Sequence, residues 1–281
     1  MISGRALLAG VAGWPISHSL SPALHGFWIE QLKLDAAYVP LAIQPDDFAQ
    51  ALAVLPRLGF RGINVTLPHK EAAFRHSSDA DDAARATGAA NTIVFRDGRS
   101  FATNTDVAGF LGSLDDGAAG DVAGCSALVL GAGGAARAVI FGLLSRGAAQ
   151  VTVVNRTRAN ADALAHFFGK NVVAAGWDQL DGALVRCDLL VNTTKLGMQG
   201  QDPLLVNIGS LRPESVVVDI VYRPLETQLL HQARLRGNRT IDGLGMLLHQ
   251  AAPAFHAWFG VRPDVTPELR AHLISFMERQ G

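Results

Sequence analysis

The stretch Ala127-Leu-Val-Leu-Gly131-Ala132-Gly133-Gly134-Ala135-Ala136-Arg137-Ala-Val-Ile140 reads as a short buried strand, a glycine turn and the start of a helix. Gly131 permits the tight turn, and Gly133 lets backbone N–H groups come close to a pyrophosphate. Ala136 stands where a third glycine would allow close helix–sheet packing. The anion would then sit on the positive end of the helix that opens near Gly134. Taken alone, the pattern also suits a tight strand-to-helix turn in another kind of α/β protein. A second apolar run, Gln150-Val-Thr-Val-Val-Asn155, follows at the spacing of one βαβ unit. This puts Asn155, Arg156 and Thr157 at the tip that reads a dinucleotide's ribose. No carboxylate stands there to accept from a free 2′-hydroxyl, whereas Arg156 between small polar neighbours can neutralise a 2′-phosphate, so NADP is expected rather than NAD.

The 281 residues are long for one core and comfortable for two, and 49% apolar with 17% charged residues is a globular composition. A formal charge of -1 without runs of Lys or Arg disfavours nucleic acid and anionic membrane as partners and favours a small molecule. The N-terminal apolar run stops at Gly13-Trp14-Pro15, so no signal peptide is expected, and nothing else approaches transmembrane length. Cys125 and Cys187 lie in no metal or redox spacing and read as reduced core thiols, which makes the cytoplasm the expected compartment. No metal is expected.

From Arg5 to about Ala102 elements of strand and helix length alternate: Ala6–Val11, a helix from Pro22, Ala36–Ile43, a helix from Pro45, Gly62–Thr66, and a helix started by Pro68. Asn91–Phe95 and Arg99–Thr103, joined across Asp97-Gly98, read as a hairpin that makes one edge of a mostly parallel sheet antiparallel. The second unit repeats βα, with strands near 126–130, 150–154, 187–192 and 215–221. Gly243–Gly260 is then a strongly apolar helix, and another follows Pro267.

Three polar clusters interrupt the first unit, each at the carboxyl end of a strand, where open α/β sheets bind ligands. In Ser17-His18-Ser19-Leu20-Ser21-Pro22, Ser21 reads as an N-cap, while Ser19 and Ser21 side by side also suit a carboxylate. In Asn64-Val-Thr66-Leu-Pro68-His69-Lys70, Lys70 sits in the first helical turn, either as a proton donor at the unfavourable end of the helix dipole or as a solvated lysine. In Thr103-Asn104-Thr105-Asp106, Asp106 reads as an N-cap, and Asn91 upstream is a strand asparagine whose amide needs partners.

Together, Ser19-Leu-Ser21-Pro, Asn64-Val-Thr66-Leu-Pro-His-Lys70, Asn91-Thr, Asn104-Thr-Asp106, the Gly131 loop, Asn155-Arg-Thr157 and Asp242-Gly-Leu-Gly-Met-Leu-Leu-His-Gln250 closely resemble the shikimate dehydrogenase family, in order and over nearly the whole chain. The resemblance implies an α/β fold of two domains with a cleft between them. These are a substrate domain over residues 1–106 with a mostly parallel sheet and a Rossmann-type NADP domain over 107–242, while C-terminal helices over 243–281 return to the first domain. It implies Lys70 and Asp106 as the catalytic pair, with Ser19 and Ser21 on a substrate carboxylate. Thr66, Asn91, Asp106 and Gln250 would contact ring hydroxyls, with Tyr222 also contacting substrate. Gly131, Ala132, Gly133, Gly134 and Ala135 would form the pyrophosphate loop, Asn155, Arg156 and Thr157 the 2′-phosphate grip, and Ile220 and Gly243 would lie near the nicotinamide.

The activity implied is reversible NADPH-dependent reduction of 3-dehydroshikimate to shikimate, on the route to chorismate and the aromatic amino acids, by a monomer or homodimer. Gly26 and Lys195 depart from the family's usual residues without being ligands. A paralogue acting on quinate as well as shikimate or with relaxed cofactor choice, or a dinucleotide sensor without turnover, are the alternatives, and a proton donor at Lys70 argues against the sensor.

Overall fold

The computed structural model describes residues 2–280. In chain order the elements of the first sheet and its helices are β1 (Leu7–Gly13), α1 (Ser21–Gln31), β2 (Ala36–Ala42), α2 (Phe48–Val54), β3 (Phe60–Val65), α3 (Lys70–His76), β4 (Asp79–Ala80), α4 (Asp82–Thr87), β5 (Thr92–Arg96) and β6 (Arg99–Thr103). Then come α5 (Asp106–Asp116), β7 (Ser126–Leu130), α6 (Gly134–Ser145), β8 (Gln150–Val154), α7 (Arg158–Phe168), β9 (Val172–Ala175), α8 (Leu180–Leu184), β10 (Leu189–Asn192), β11 (Val216–Asp219), α9 (Gln228–Leu235) and β12 (Arg239–Ile241). The chain closes with α10 (Gly243–Phe259) and α11 (Pro267–Glu278). It divides into two compact units. One runs to Thr105 and resumes at Leu248, and the other is Asp106–Leu247, so α10 is shared between them.

The first unit holds a six-stranded sheet in the order β2-β1-β3-β5-β6-β4. Only β5 runs against its neighbours. The hairpin read from the sequence is present, with Asp97 and Gly98 both at positive φ, as a two-residue turn between twisted strands requires. It does not make an antiparallel edge, however. β5 is an interior strand, and the edge beyond β6 is closed by the two-residue β4, which pairs in parallel. The consequence matters for the site: because β5 is reversed, its amino end lies beside the carboxyl ends of β1, β3 and β6, with Asn64 opposite Thr92 and Thr92 opposite Thr103.

Within this unit the apolar face of α10 lies on the sheet. Trp258 donates its indole N–H to the Ile93 carbonyl at 3.0 Å, and a Cβ at Gly62 would stand 2.1 Å from both that carbonyl oxygen and the indole nitrogen. Gly62 is therefore what lets the indole lie flat across β3 and β5. The Trp28 indole donates to the Asp264 carbonyl at 3.2 Å, tying α1 to the segment before α11.

His25 sits at the centre of this packing, fully buried, with its ring stacked 4.0 Å from Tyr38. Burial pushes its imidazole down to about 3; the Asn64 amide opposes this slightly, although neither ring nitrogen has a hydrogen-bond partner among the described residues. The unfolded chain therefore binds a proton that the folded one refuses, and stability falls as pH drops from 6.5 towards 3. Replacing His25 with Phe should flatten the pH dependence of the denaturant midpoint over that window, and an unchanged slope in the variant would contradict this account.

The second unit is a fully parallel sheet in the order β12-β11-β10-β7-β8-β9. This is the doubly wound nucleotide-binding arrangement, whose winding reverses between β7 and β10. It has two strands more than the sequence reading, β9 and β12. Both are short, and β12 carries exposed Arg239 within its three residues. Cys125 and Cys187 are free thiols, pushed by burial up to about 11 and about 12. Among the described residues no helix is long and apolar enough to cross a membrane, and no cluster of His, Cys, Asp or Glu is arranged to hold a metal.

Candidate functional site

In the first unit the sequence-selected residues gather along one edge of the sheet. Thr66 follows β3 and receives the chain from β1: its N–H donates to the Ala12 carbonyl at 2.9 Å, and its methyl fills the space that a Cβ on Gly13 would need. Lys70, half-buried, opens α3, and its carbonyl accepts from the Ala90 N–H at 2.9 Å, which brings it next in line to Asn91. Val65 N–H donates to the Asn91 carbonyl at 2.7 Å. Asn91 in turn donates through Nδ2 to Thr105 Oγ1 at 2.9 Å and to Gln250 Oε1 at 3.1 Å.

The orientation of these amides is not arbitrary. The Thr105 backbone N–H can only donate, and it donates to Asn91 Oδ1 at 2.7 Å, so Asn91 Nδ2 must face Thr105 Oγ1 and Gln250. Gln250 thus takes this hydrogen bond on its carbonyl oxygen, which orients its side-chain amide as well. Behind this pair lies a second amide: Asn64 Nδ2 donates to the Asn91 carbonyl at 3.2 Å and to Thr92 Oγ1 at 3.0 Å, while its Oδ1 accepts from the Tyr38 hydroxyl at 2.6 Å. Asn64, Thr92 and Thr105 are all buried. Tyr38 escapes the sequence reading because nothing local marks it, and Thr92, though it stands in the Asn91-Thr motif, is given no role there; the signal available is the strand asparagine Asn64, which needs partners from elsewhere.

Two capping expectations are corrected. α1 begins at Ser21 itself, preceded by Leu20, and the Ser19 hydroxyl accepts from the Ser21 N–H at 3.3 Å, so Ser19 rather than Ser21 closes the turn. Ser21 is 6% exposed and is a helical residue. Pro68 does not start α3. His69 precedes it, held by an Nε2 contact of 2.8 Å to the Ile43 carbonyl and stacked on Phe48, which marks it as a packing residue. Asp106, 5% exposed, is likewise the first residue of α5 rather than the residue before it.

In the second unit the dinucleotide fingerprint has the geometry the cofactor needs. Gly131 has φ of 106° and lies against Thr193, whose Oγ1 would be 2.8 Å from a Cβ there, so only glycine fits. Gly133 is exposed and faces open space, and Ala132 and Ala135 are half-buried beside it. α6 starts at Gly134 with no side-chain cap and no acidic residue in its first turn, which leaves its N–H groups to an anion. Ala136 is fully buried, in place of the third glycine.

The turn is tied to β8 by Gly131 N–H donating to the Val154 carbonyl at 2.8 Å, and Asn155 then orders the tip by donating to the Thr157 carbonyl at 2.9 Å. Arg156 is exposed and has no hydrogen-bond or ion-pair partner among the described residues. An open cradle of N–H groups next to an unpaired guanidinium fits a phosphorylated dinucleotide. On β11's side, Ile220 is half-buried and Gly243 buried. A Cβ at Gly243 would stand 2.2 Å from the Ile220 carbonyl oxygen, so this close approach also requires glycine. Tyr222, half-buried, lies in the loop after β11.

Residues 11–93 match the family model described as shikimate dehydrogenase substrate binding domain, residues 114–220 that of shikimate / quinate 5-dehydrogenase, and residues 243–267 that of the shikimate 5′-dehydrogenase C-terminal domain. The chain is 50% identical to the NADP(+) shikimate dehydrogenase of Paramagnetospirillum magneticum, over 98% of this chain and 100% of that one. The chain belongs to the shikimate dehydrogenase family. A second relative, the NADP(+) shikimate dehydrogenase of Dinoroseobacter shibae, is 52% identical over 94% of this chain and 96% of its own. Among solved structures, the shikimate dehydrogenase of Thermus thermophilus in complex with NADP(H) and shikimate is 38% identical, with a TM-score of 0.85 over 97% of this chain and 99% of that one. The two-unit α/β fold with a doubly wound second sheet is thus the fold of the shikimate dehydrogenase family.

Proposed function

We propose that this chain catalyses the reversible NADPH-dependent reduction of 3-dehydroshikimate to shikimate, a CH–OH oxidoreductase reaction on the route to chorismate. The observation that carries this reading is the likeness, over 98% of the chain, to a protein named NADP(+) shikimate dehydrogenase. Residues 1–106 are the substrate domain, 107–242 the NADP domain and 243–281 the C-terminal helices. When bound, the reduced nicotinamide supplies the hydride. Lys70 hydrogen-bonds the substrate carbonyl oxygen and gives its proton to the alkoxide as charge develops there. Asp106 acts as its partner and orients a neighbouring hydroxyl.

Ser19 and Ser21 hold the carboxylate with Tyr222 close by. Thr66, Asn91 and Gln250 hold ring hydroxyls. Gly131–Ala135 take the pyrophosphate and Asn155, Arg156 and Thr157 the 2′-phosphate. Ile220 and Gly243 line the nicotinamide end.

The direct assay follows nicotinamide absorbance with purified protein, offering shikimate or quinate with NADP or NAD. Shikimate with NADP should give by far the highest kcat/KM. A preference for quinate would support the paralogue, and no change with any pair would overturn the reading. Replacing Arg156 with Ala should raise KM for NADP about 10- to 100-fold, the worth of charge-assisted hydrogen bonds to a phosphate, and leave NAD kinetics alone. Equal effects on both cofactors would contradict the role given to Arg156.

A further inference from the structure

The chemistry proposed above leaves one fully buried carboxylate without a task. Asp219 ends β11 at 0% exposure. Its Oδ1 accepts from the Asn192 side-chain amide at 2.9 Å and from the Val221 backbone N–H at 3.0 Å, and its Oδ2 accepts from the Thr227 hydroxyl at 2.7 Å. Each donor belongs to a different piece of the sheet's carboxyl edge. Asn192 ends β10, and its own Oδ1 accepts the Thr194 N–H at 3.0 Å and hydroxyl at 2.8 Å, so its Nδ2 must turn to Asp219. Thr227, its proton given to Asp219, accepts from the Leu230 N–H at 3.3 Å and caps α9.

These bonds converge on one peptide. Ile220 N–H donates to the Asn192 carbonyl at 3.1 Å, Val221 N–H is held by Asp219, and the Ile220 carbonyl oxygen is pressed against Gly243, where a Cβ would be 2.2 Å away. The plane of the Ile220–Val221 peptide is thereby fixed from both sides. On the other flank, Thr193, next to Asn192, donates its hydroxyl to the Leu130 carbonyl at 2.7 Å and lies against Gly131. One carboxylate thus ties together the two turns assigned to the pyrophosphate and the nicotinamide end. An ionised carboxylate accepts all three donors, two on Oδ1 and one on Oδ2, whereas an amide there would present an N–H to Thr227 and oblige its hydroxyl to turn from donor to acceptor. Burial pushes the Asp219 carboxyl up to about 6 while its three hydrogen bonds pull it back. The charge is retained at a cost to folding that an apolar or amide residue would not carry.

We propose that Asp219 is a positioning residue for hydride transfer, holding the Ile220–Val221 peptide and the Gly131 turn in the arrangement that receives the nicotinamide half of the cofactor. This rests on the NADP-dependent reading above. In the full chain, Asp219→Asn keeps the shape but removes the charge and reverses the bond to Thr227. The expected result is KM for NADPH raised about tenfold or more, with KM for 3-dehydroshikimate moved less than about twofold, and a denaturant midpoint at neutral pH equal to or above that of the wild type. Thr227→Val, which removes one donor of three, should shift NADPH in the same direction by less. Wild-type KM for NADPH in Asp219→Asn would overturn the proposal. So would a rise in both KM values together with a lowered midpoint, because the carboxylate would then only hold the fold. Calorimetric binding of NADPH to wild type and variant reads the same effect without turnover, so an inactive wild type would defeat the functional reading and still leave this proposal tested.

Discussion

Lys70→Ala should lose about 10²- to 10⁴-fold in kcat, the usual worth of a positioned general acid, while circular dichroism and the denaturant midpoint stay those of the wild type. The expectation follows from where Lys70 sits. It opens α3 half-buried, its main chain is anchored to Ala90, and its side chain leaves from the carboxyl edge of the sheet, next to Asn91. Lys70 is a half-buried residue in the first turn of α3 and is not part of the apolar core, so truncation should leave folding alone. The loss corresponds to about 3–5 kcal/mol of transition-state stabilisation. Because the proton transfer belongs to the transition state, kcat and kcat/KM should fall together. A variant with a raised KM and intact kcat would make Lys70 a binding residue only, and near-normal turnover would remove it from the chemistry.

Gly62→Ala should do the reverse, damaging the fold first. A Cβ there would meet the Ile93 carbonyl oxygen and the Trp258 indole nitrogen, both at 2.1 Å, and β3 is an interior strand that cannot move aside. Either the sheet distorts or the indole leaves and orphans a buried N–H. Overpacking costs about 1–3 kcal/mol and an unsatisfied buried donor a similar amount, so a loss of about 3 kcal/mol or more is expected. Gln250, Ala254 and Trp258 follow one another at intervals of four on α10, so displacement of the indole also moves the glutamine proposed to hold a substrate hydroxyl. The denaturant midpoint should fall and KM for shikimate should rise; a variant with the wild-type midpoint would show that the helix docks without Gly62.

The glycines bring out what the sequence could and could not disclose. Gly131 is readable because its need is local: a left-handed backbone between a strand and a helix belongs to a recurrent pattern. Nothing local marks Gly62, which is required by an indole far downstream on α10, and Gly243 enters only through the family resemblance, because what requires it is a carbonyl after a different strand. The polar residues assigned to the substrate behave the same way. Ser19, Lys70, Asn91 and Asp106 stand in motifs, whereas the roles of Tyr38 and Thr92, which fix the amides behind them, become visible only once β2, β3 and β5 are paired.

The reversed direction of β5 is hidden for a related reason. The hairpin turn at Asp97-Gly98 reveals that β5 and β6 are antiparallel to each other, but not which of them opposes the rest of the sheet. Strands β4, β9 and β12 are too short, at two to four residues, to show a period. Asp219 goes unmarked because an acidic residue at a strand end reads as the start of a loop.

The central claim is that Lys70 and Asp106 act as a single unit in the reduction. The most direct test is a double-mutant cycle on kcat, with Lys70→Ala, Asp106→Asn and the two combined, each checked for an unchanged denaturant midpoint. The account predicts that the double variant turns over about as slowly as Lys70→Ala alone. A double variant slowed by the product of the two single losses would mean that ammonium and carboxylate work independently, and would contradict it.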